Sequence, residues 1–538
     1  MNDETIEAKI EEIEQRYETD YEVGQQNVNP LGLDLHNPVF VVSALLILLF
    51  VVGSLLFPEQ ANTGLGATRV WIGEMFDWVF LSAGNVFVLF CLALIVLPVG
   101  SIRLGGVDAK PEYSVLSWFA MLFAAGMGIG LMFWSVAEPV AYFTEWYGTP
   151  LNIEGGTEAA KAAALGATMY HWGLHPWAIY AVVGLSLAFF AYNKGLPLTI
   201  RSTFYPLLGD RVWGPFGHVI DTLAVLATMF GLATSLGLGA QQAASGLNFL
   251  FGIDGGLNTQ IAIIVVITII ALISVMRGID GGVKVLSNIN MGMAVVLLLF
   301  VMVAGGLIAL ASNIGNTVSA YGQYLLPLSN PFGREDETFY HGWTIFFWAW
   351  WISWSPFVGM FIARVSRGRT VRQFVTAVLL IPTLVTILWM SAFGGNGVDQ
   401  AMAQVGALAG GISDSSLALF QMLENLPFTA ITSFLAILLV MVFFVTSSDS
   451  GSLVIDSITS GGKTDSPQSQ RIFWATIEGL VAGVLLAVGG VAALQALQAG
   501  AVSTGLPFVF VLLAMCVSLA IGLHHERVLL KFAPEKAA

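Results

Sequence analysis

Charge is scarce in this chain. Only 10% of its 538 residues are Asp, Glu, Lys or Arg, while 56% are hydrophobic and the mean hydropathy is +0.79. Such a ratio excludes an ordinary water-soluble domain, because there is too little polar side chain to cover its surface. Cysteine is almost absent. Cys91 and Cys516 both lie in apolar segments, which excludes a disulfide framework and a thiolate metal site. No Ser/His/Asp order, HExxH pattern or Cys/His cluster sits at matching depth, so an intramembrane enzyme is not expected. Neither a continuous polar pore nor repeated charged rings appear, which argues against a channel. The first 36 or so residues are acidic and polar, so no secretory signal peptide is expected. Ten of the 35 carboxylates lie in residues 1–37, and the net charge is −14. This is a solvated acidic face, and it argues against a nucleic-acid partner.

Long apolar runs are what the chain has in place of charge. About 20 such residues span a bilayer, and twelve spans are drawn: 38–57, 76–99, 113–143, 163–193, 214–247, 258–277, 286–312, 341–366, 371–394, 426–458, 470–491 and 501–523. Several exceed 25 residues and must tilt, break or project. The basic residues test this drawing. With both termini inside, eighteen of the 21 Lys and Arg fall in cytoplasmic loops and tails, and only Arg69, Lys161 and Arg334 lie outside. That asymmetry is the positive-inside pattern of a multi-pass membrane protein with cytoplasmic termini. Residues 1–37 read as a disordered or loosely helical acidic tail, 38–112 as two peripheral spans, 313–340 as an amphipathic surface connector, and 524–538 as a short cytoplasmic tail. Segment 58–75 is too polar to span.

Four stretches carry candidate chemistry. Residues 343–357, WTIFFWAWWISWSPF, hold five of the 15 tryptophans. At 100° per residue, Trp354 lies about 40° and Trp351 about 100° from Trp350, so the three form one aromatic wall, while Trp348 points away. Ring quadrupoles hold a quaternary ammonium, which has no N–H to donate; interfacial anchoring or packing is the plainer alternative. Residues 171–180, HWGLHPWAIY, place Trp172, Tyr180 and Trp177 at about 0°, 80° and 140°, a second wall. His171 and His175 are one turn apart, but no carboxylate or Cys accompanies them as a metal partner. In FAAGMGIGLMFWSVAEP, Gly126, Gly128 and Gly130 each cost a helix about 1 kcal/mol against alanine. Unwinding there would free carbonyls for a cation and N–H groups for a carboxylate; close helix packing is the alternative. Glu138, at the end of this stretch, is an intramembrane or border carboxylate and so a functional candidate; a structural N–H or Arg partner is the equal alternative. Finally, Thr446, Ser447, Ser448 and Ser450 supply hydroxyl oxygens suited to a hard monovalent cation, or simply mark a polar helix end.

Together, GMGIGLMFWSVAEP, HWGLHPWAIYA and FWAWWISWSPFVGMFIARVSRGRT resemble the betaine/carnitine/choline transporter family, and the resemblance runs from about residue 36 to 523. It implies an all-α membrane protein of twelve transmembrane helices. Two inverted five-helix repeats, 113–312 and 341–523, follow two extra N-terminal helices, in the fold shared with the neurotransmitter:sodium symporters. It implies a homotrimer in the cell membrane that carries a quaternary-ammonium zwitterion such as glycine betaine, with sodium as coupling ion and no other cofactor. The trimethylammonium group would be boxed by Trp172, Trp177, Tyr180, Trp350, Trp351 and Trp354, beside Gly126, Gly128 and Gly130. One sodium would be held by carbonyls of Ala124, Met127 and Phe443 and hydroxyls of Thr446 and Ser447. Some members place a second sodium at a Thr matching Thr228 and another Thr one turn later. Leu232 stands at that later position, so a second site of that form is not implied. No Arg or Lys lies in the fifth span to replace an ion, and the short C-terminal tail implies no long basic osmosensing helix. Proton-coupled choline uptake, or transport of another compatible solute such as ectoine, is the alternative reading.

Overall fold

The computed structural model describes residues 3–126, 128–277 and 284–532. Nearly all of it is helix. In chain order the N-terminal part holds α1 (Asp3–Gln15), a two-stranded antiparallel pair β1 (Asn27–Val28) and β2 (Leu35–His36), α2 (Val39–Leu56) and α3 (Pro58–Val96). The next group is α4 (Val115–Gly126), α5 (Ile129–Phe143), α6 (Glu158–Trp172), α7 (Leu174–Lys194), the single-turn α8 (Tyr205–Leu208), α9 (Pro215–Phe251), α10 (Leu257–Arg277) and α11 (Lys284–Ala304). The connector is α12 (Leu307–Ser329). Then come the one-turn α13 (Glu337–Phe339), α14 (Ile345–Arg364), α15 (Val371–Met402), α16 (Ala418–Glu424), α17 (Thr429–Thr459), α18 (Gln468–Gly489) and α19 (Ala493–Phe532).

Among the described residues, eleven helical stretches are long and apolar enough to cross a membrane. The twelfth crossing is made in two pieces, α4 and α5, which separate at the glycine run; Gly128 is extended there, with φ −164°. The architecture is therefore the expected all-α membrane fold. Two spans precede two sets of five, and because five is odd the second set crosses in the opposite sense to the first. The sixth and seventh spans and the N-terminal pair expose apolar side chains such as Leu49, Val266 and Val296. By contrast α5, α7, α9 and α14 are buried along most of their length. These four form the core around which the lipid-facing helices are arranged. Gly184 on α7 and Gly359 on α14 let the two helices cross closely: a Cβ on Gly359 would lie 3.0 Å from the Gly184 nitrogen.

Besides the last span, which α19 extends to Phe532 and so into residues read as tail, three segments differ from the sequence reading. Segment 58–75 is helical and continuous with the second span, giving an α3 of 39 residues and about 58 Å. Its first turns project beyond a hydrocarbon core of about 30 Å, and Arg69 on them donates to the Gly342 carbonyl at 3.2 Å. The connector helix begins at Leu307 rather than 313, after a break at Gly306, whose φ of +92° suits only glycine.

The acidic tail is the third correction, since it is folded rather than loose. Tyr21 stacks on Trp213 with centroids 4.0 Å apart. The wholly buried Arg201 donates to the Tyr21 hydroxyl at 2.6 Å and to His36 Nε2 at 2.9 Å, and faces Asp221 at 3.3 Å. Asp34 pairs with Lys463 at 2.5 Å, which ties the tail to the α17–α18 loop. Burial, with Arg201 beside it, pushes His36 down to about 3, so it is a neutral acceptor at neutral pH. Acidic composition suggested disorder; the aromatic and basic partners far along the chain supply the burial that overrides it.

Candidate substrate site

The two aromatic walls meet. The Trp172 and Trp351 rings lie edge to face with centroids 4.8 Å apart, and Trp350 stacks on Trp351 at 4.9 Å. Tyr180 reaches Trp351 at 6.3 Å and Trp177 at 5.4 Å, both near perpendicular. All five rings are buried. They come from α6, α7 and α14, held together by the close crossing of α7 and α14 described above.

Four of the box indoles are fixed by their N–H groups. Trp351 donates to the His171 carbonyl at 2.9 Å and Trp354 to the Gly231 carbonyl at 2.9 Å. Trp350 donates to Ser235 Oγ at 3.2 Å and is also 3.3 Å from the Gly231 carbonyl. Trp172 donates to Glu138 Oε2 at 2.6 Å. With these N–H groups occupied, what the indoles have left to offer a cation is the π face, and here Trp350 and Trp351 turn theirs toward each other. Trp354 packs on Phe357 rather than on the other box rings. Trp348 does point away: it stacks on His175 at 5.1 Å and packs against Tyr170. Trp343 lies outside the box, in a cavity of about 420 Å³ with Trp134 and Trp146.

The glycine run joins this box. A Cβ on Gly130 would lie 2.6 Å from Trp350 Cη2 and 3.0 Å from Trp172 Cη2, so two box rings close over the bare backbone. A Cβ on Gly128 would be 4.0 Å from Trp354 Cη2. Ile129 starts α5, and the first N–H groups of a helix have no partner within it. The site thus offers ring faces to a cationic group and a helix N-terminus to a carboxylate. Gly126 ends α4, on the other side of the break.

Of the residues expected to hold a cation, Phe443 and Ser447 are buried on α17, and Thr446 donates to the Val442 and Phe443 carbonyls at 3.1 and 3.2 Å. Ala124 is exposed on α4, whose neighbours are α14 and α15. Met127 lies outside the described residues. Leu232 packs into α17: a Cβ on Gly451 would meet its Cδ1 at 2.2 Å. Thr228 donates to the Ala224 carbonyl of its own helix.

Sequence reasoning gave Glu138 either a functional role or a structural N–H partner; the structure supplies the N–H partner, Trp172, which the sequence did not name. Glu138 Oε1 lies 2.9 Å from the Tyr142 hydroxyl and 2.8 Å from His171 Nδ1, while Oε2 takes Trp172. His171 Nε2 is 2.9 Å from Thr344 Oγ1. A carboxylate four residues before Tyr142, and His171 beside Trp172, were the available signals. Ser235, which fixes Trp350, had only the weak signal of a hydroxyl in an apolar helix.

The family model described as betaine/carnitine/choline family transporter matches residues 38–528. Among curated relatives, "Glycine betaine transporter 1" of Vibrio parahaemolyticus is 64% identical over 95% of this chain and 98% of its own length. A "Glycine betaine/proline/choline/ectoine transporter" of the same organism is 60% identical over 94% of this chain and 91% of its own. The "Glycine betaine transporter OpuD" of Bacillus subtilis is 44% identical over 89% and 92%. The chain belongs to the betaine/carnitine/choline transporter family.

Proposed function

We propose that this multi-pass membrane transporter imports a quaternary-ammonium zwitterion, glycine betaine or a similar osmolyte, and that a sodium gradient drives it. The observation that carries the reading is the closure of Trp172 and Trp350 over Gly130. It sets aromatic side chains beside the start of α5, so groups suited to the two ends of a zwitterion lie together. The relatives' names, which include glycine betaine in each case described above, support the same substrate class. Sodium would be held by the carbonyls of Ala124, Met127 and Phe443 with Thr446 and Ser447, since oxygen ligands suit a hard cation. The two five-span sets, 113–312 and 341–523, would rock against each other in alternating access. Both termini would face the cytoplasm of a cell membrane, as the distribution of Lys and Arg favours. A homotrimer is the assembly the family resemblance implies.

Choline is the second reading, favoured by its place in the name of the 60% identical relative. Competition separates the two. Uptake of radiolabelled glycine betaine by cells expressing the transporter is measured with excess unlabelled glycine betaine, choline, ectoine or carnitine. A zwitterion site is displaced by betaine and weakly by choline. Choline that competes as well as betaine would transfer the assignment to choline.

A further inference from the structure

We infer that Tyr147 and Gln495 form an outer latch, a hydrogen bond that ties the first five-span set to the second and breaks when substrate enters from outside. The inference rests on the transport reading above, with cytoplasmic termini, which puts the end of α5 and the start of α19 on the outer side. Gln495 Nε2 donates to the Tyr147 hydroxyl at 2.8 Å. Tyr147 lies four residues past the end of α5, and Gln495 is in the first turn of α19. Two cavities of about 500 and 420 Å³ adjoin at this bond and share Arg69, Tyr147, Gly342 and Gln495 in their walls. The larger is lined by the exposed Glu74. The smaller is the one that holds Trp134 and Trp343. An aromatic column leads from it to the box: Trp134 packs on Phe347 at 5.9 Å, and Phe347 stacks on Trp351 at 6.0 Å.

Three observations make this bond a latch rather than packing. Tyr147 is 48% exposed, so water can take the place of Gln495 when the bond opens. A neutral hydrogen bond exchanged for water contributes little net stability and is weak enough to break in every cycle. By contrast, the other bond between the two sets in the wall of the smaller cavity, Ser245 Oγ to Ser416 Oγ at 2.6 Å, is buried. The Tyr147 backbone is left-handed, with φ +66°, a conformation that bulky residues rarely adopt. Trp343 holds it there, its indole N–H donating to the Tyr147 carbonyl at 3.1 Å. Trp343 stands two residues before α14, the helix that carries Trp350 and Trp351. The latch is therefore linked through one indole to the helix of the box.

Labelling and cross-linking in intact cells expressing the full-length transporter test the latch. Gln241 lines the smaller cavity. In Gln241→Cys, reaction with a charged, membrane-impermeant maleimide is timed without substrate; Cys91 and Cys516 are buried. Adding Tyr147→Phe or Gln495→Ala should speed labelling about fivefold, the shift in opening that one lost hydrogen bond sets. In Tyr147→Cys with Gln495→Cys, a short bis-methanethiosulfonate should bridge the pair and stop glycine betaine uptake, and dithiothreitol should restore it. Each single cysteine variant treated in the same way should keep transporting. Unchanged labelling in both latch variants, or full uptake through the bridged pair, would overturn the inference. Accelerated labelling in a protein that takes up no betaine would support the latch and count against the substrate reading instead.

Discussion

Glu138 and Trp172 are joined at 2.6 Å inside the protein, with the carboxylate wholly buried and the indole 5% exposed. The same carboxylate takes Tyr142 and His171, and His171 supplies the carbonyl that holds Trp351. Two box rings on different helices are thus positioned through one side chain. Glu138→Gln keeps an acceptor for Trp172 but puts an NH2 donor in place of one carboxyl oxygen. Its expected effect is a several-fold rise in KM for betaine with little change in expression. Glu138→Ala leaves buried N–H and O–H groups unpaired, at about 1–3 kcal/mol each. A clearly lower Tm in detergent is expected for it. Equal KM in Glu138→Gln and the unmodified protein would remove the positioning role.

The two tryptophans at 348 and 351 should separate affinity from stability. Trp351 faces the box, and a desolvated cation–π contact is worth roughly 2 kcal/mol. Trp351→Leu is expected to weaken betaine binding at least tenfold or so. Trp348 fills a core position against His175 and Tyr170. Trp348→Leu should leave KM near normal and lower Tm, because the lost volume leaves a cavity. Scintillation proximity binding together with thermal unfolding reads both.

Gly130 admits no side chain without moving a ring. Its Cβ would already lie 2.6 Å from Trp350 Cη2. Gly130→Ala is therefore expected to impair betaine uptake on steric grounds alone. Gly130→Asp adds a charge that repels the substrate's carboxylate by several kcal/mol in a low-dielectric cavity. It should lose betaine uptake more completely while retaining, or gaining, choline uptake. An Ala variant with normal KM would show that the ring closure over Gly130 is not the binding geometry.

The folded tail should loosen in mild acid. His36 is held neutral, with its value down at about 3, whereas a free histidine takes a proton near 6.5. A depressed histidine means that the detached state binds the proton first. Docking is then full above about pH 6.5 and loses up to about 1.4 kcal/mol per unit as pH falls toward 3. Limited proteolysis of residues 20–38 should accelerate between pH 7 and pH 5. In His36→Gln the same pH step should change cleavage little. No acceleration in the unmodified protein would contradict the assignment.

Much of this was readable from residue order. Hydropathy located the spans because apolar length is what a bilayer demands, and the run Gly126-Gly128-Gly130 marked the broken crossing because glycine penalises a helix. The wheel positions of Trp350 and Trp351 grouped them correctly because α14 is regular there. Trp354 does share a face with Trp350, since both N–H groups reach the Gly231 carbonyl, but its ring packs with Phe357. What stayed hidden was set by distant partners. Nothing near Tyr21 announces Trp213 or Arg201, nearly two hundred residues away. Leu232 looked only like a missing hydroxyl, until Gly451 was found to leave the space it fills.

Sodium dependence bears most directly on the mechanism. Thr446 and Ser447 are the hydroxyls proposed for the ion, and replacing both with Ala should raise the sodium concentration for half-maximal uptake. The decisive measurement is accumulation of radiolabelled glycine betaine in proteoliposomes under an inward sodium gradient, beside an equal potassium gradient. Accumulation above the outside concentration in sodium, absent in potassium and weakened in the double variant, is expected. Equal accumulation in the two salts would contradict sodium coupling, and no betaine entry in either would contradict the substrate assignment itself.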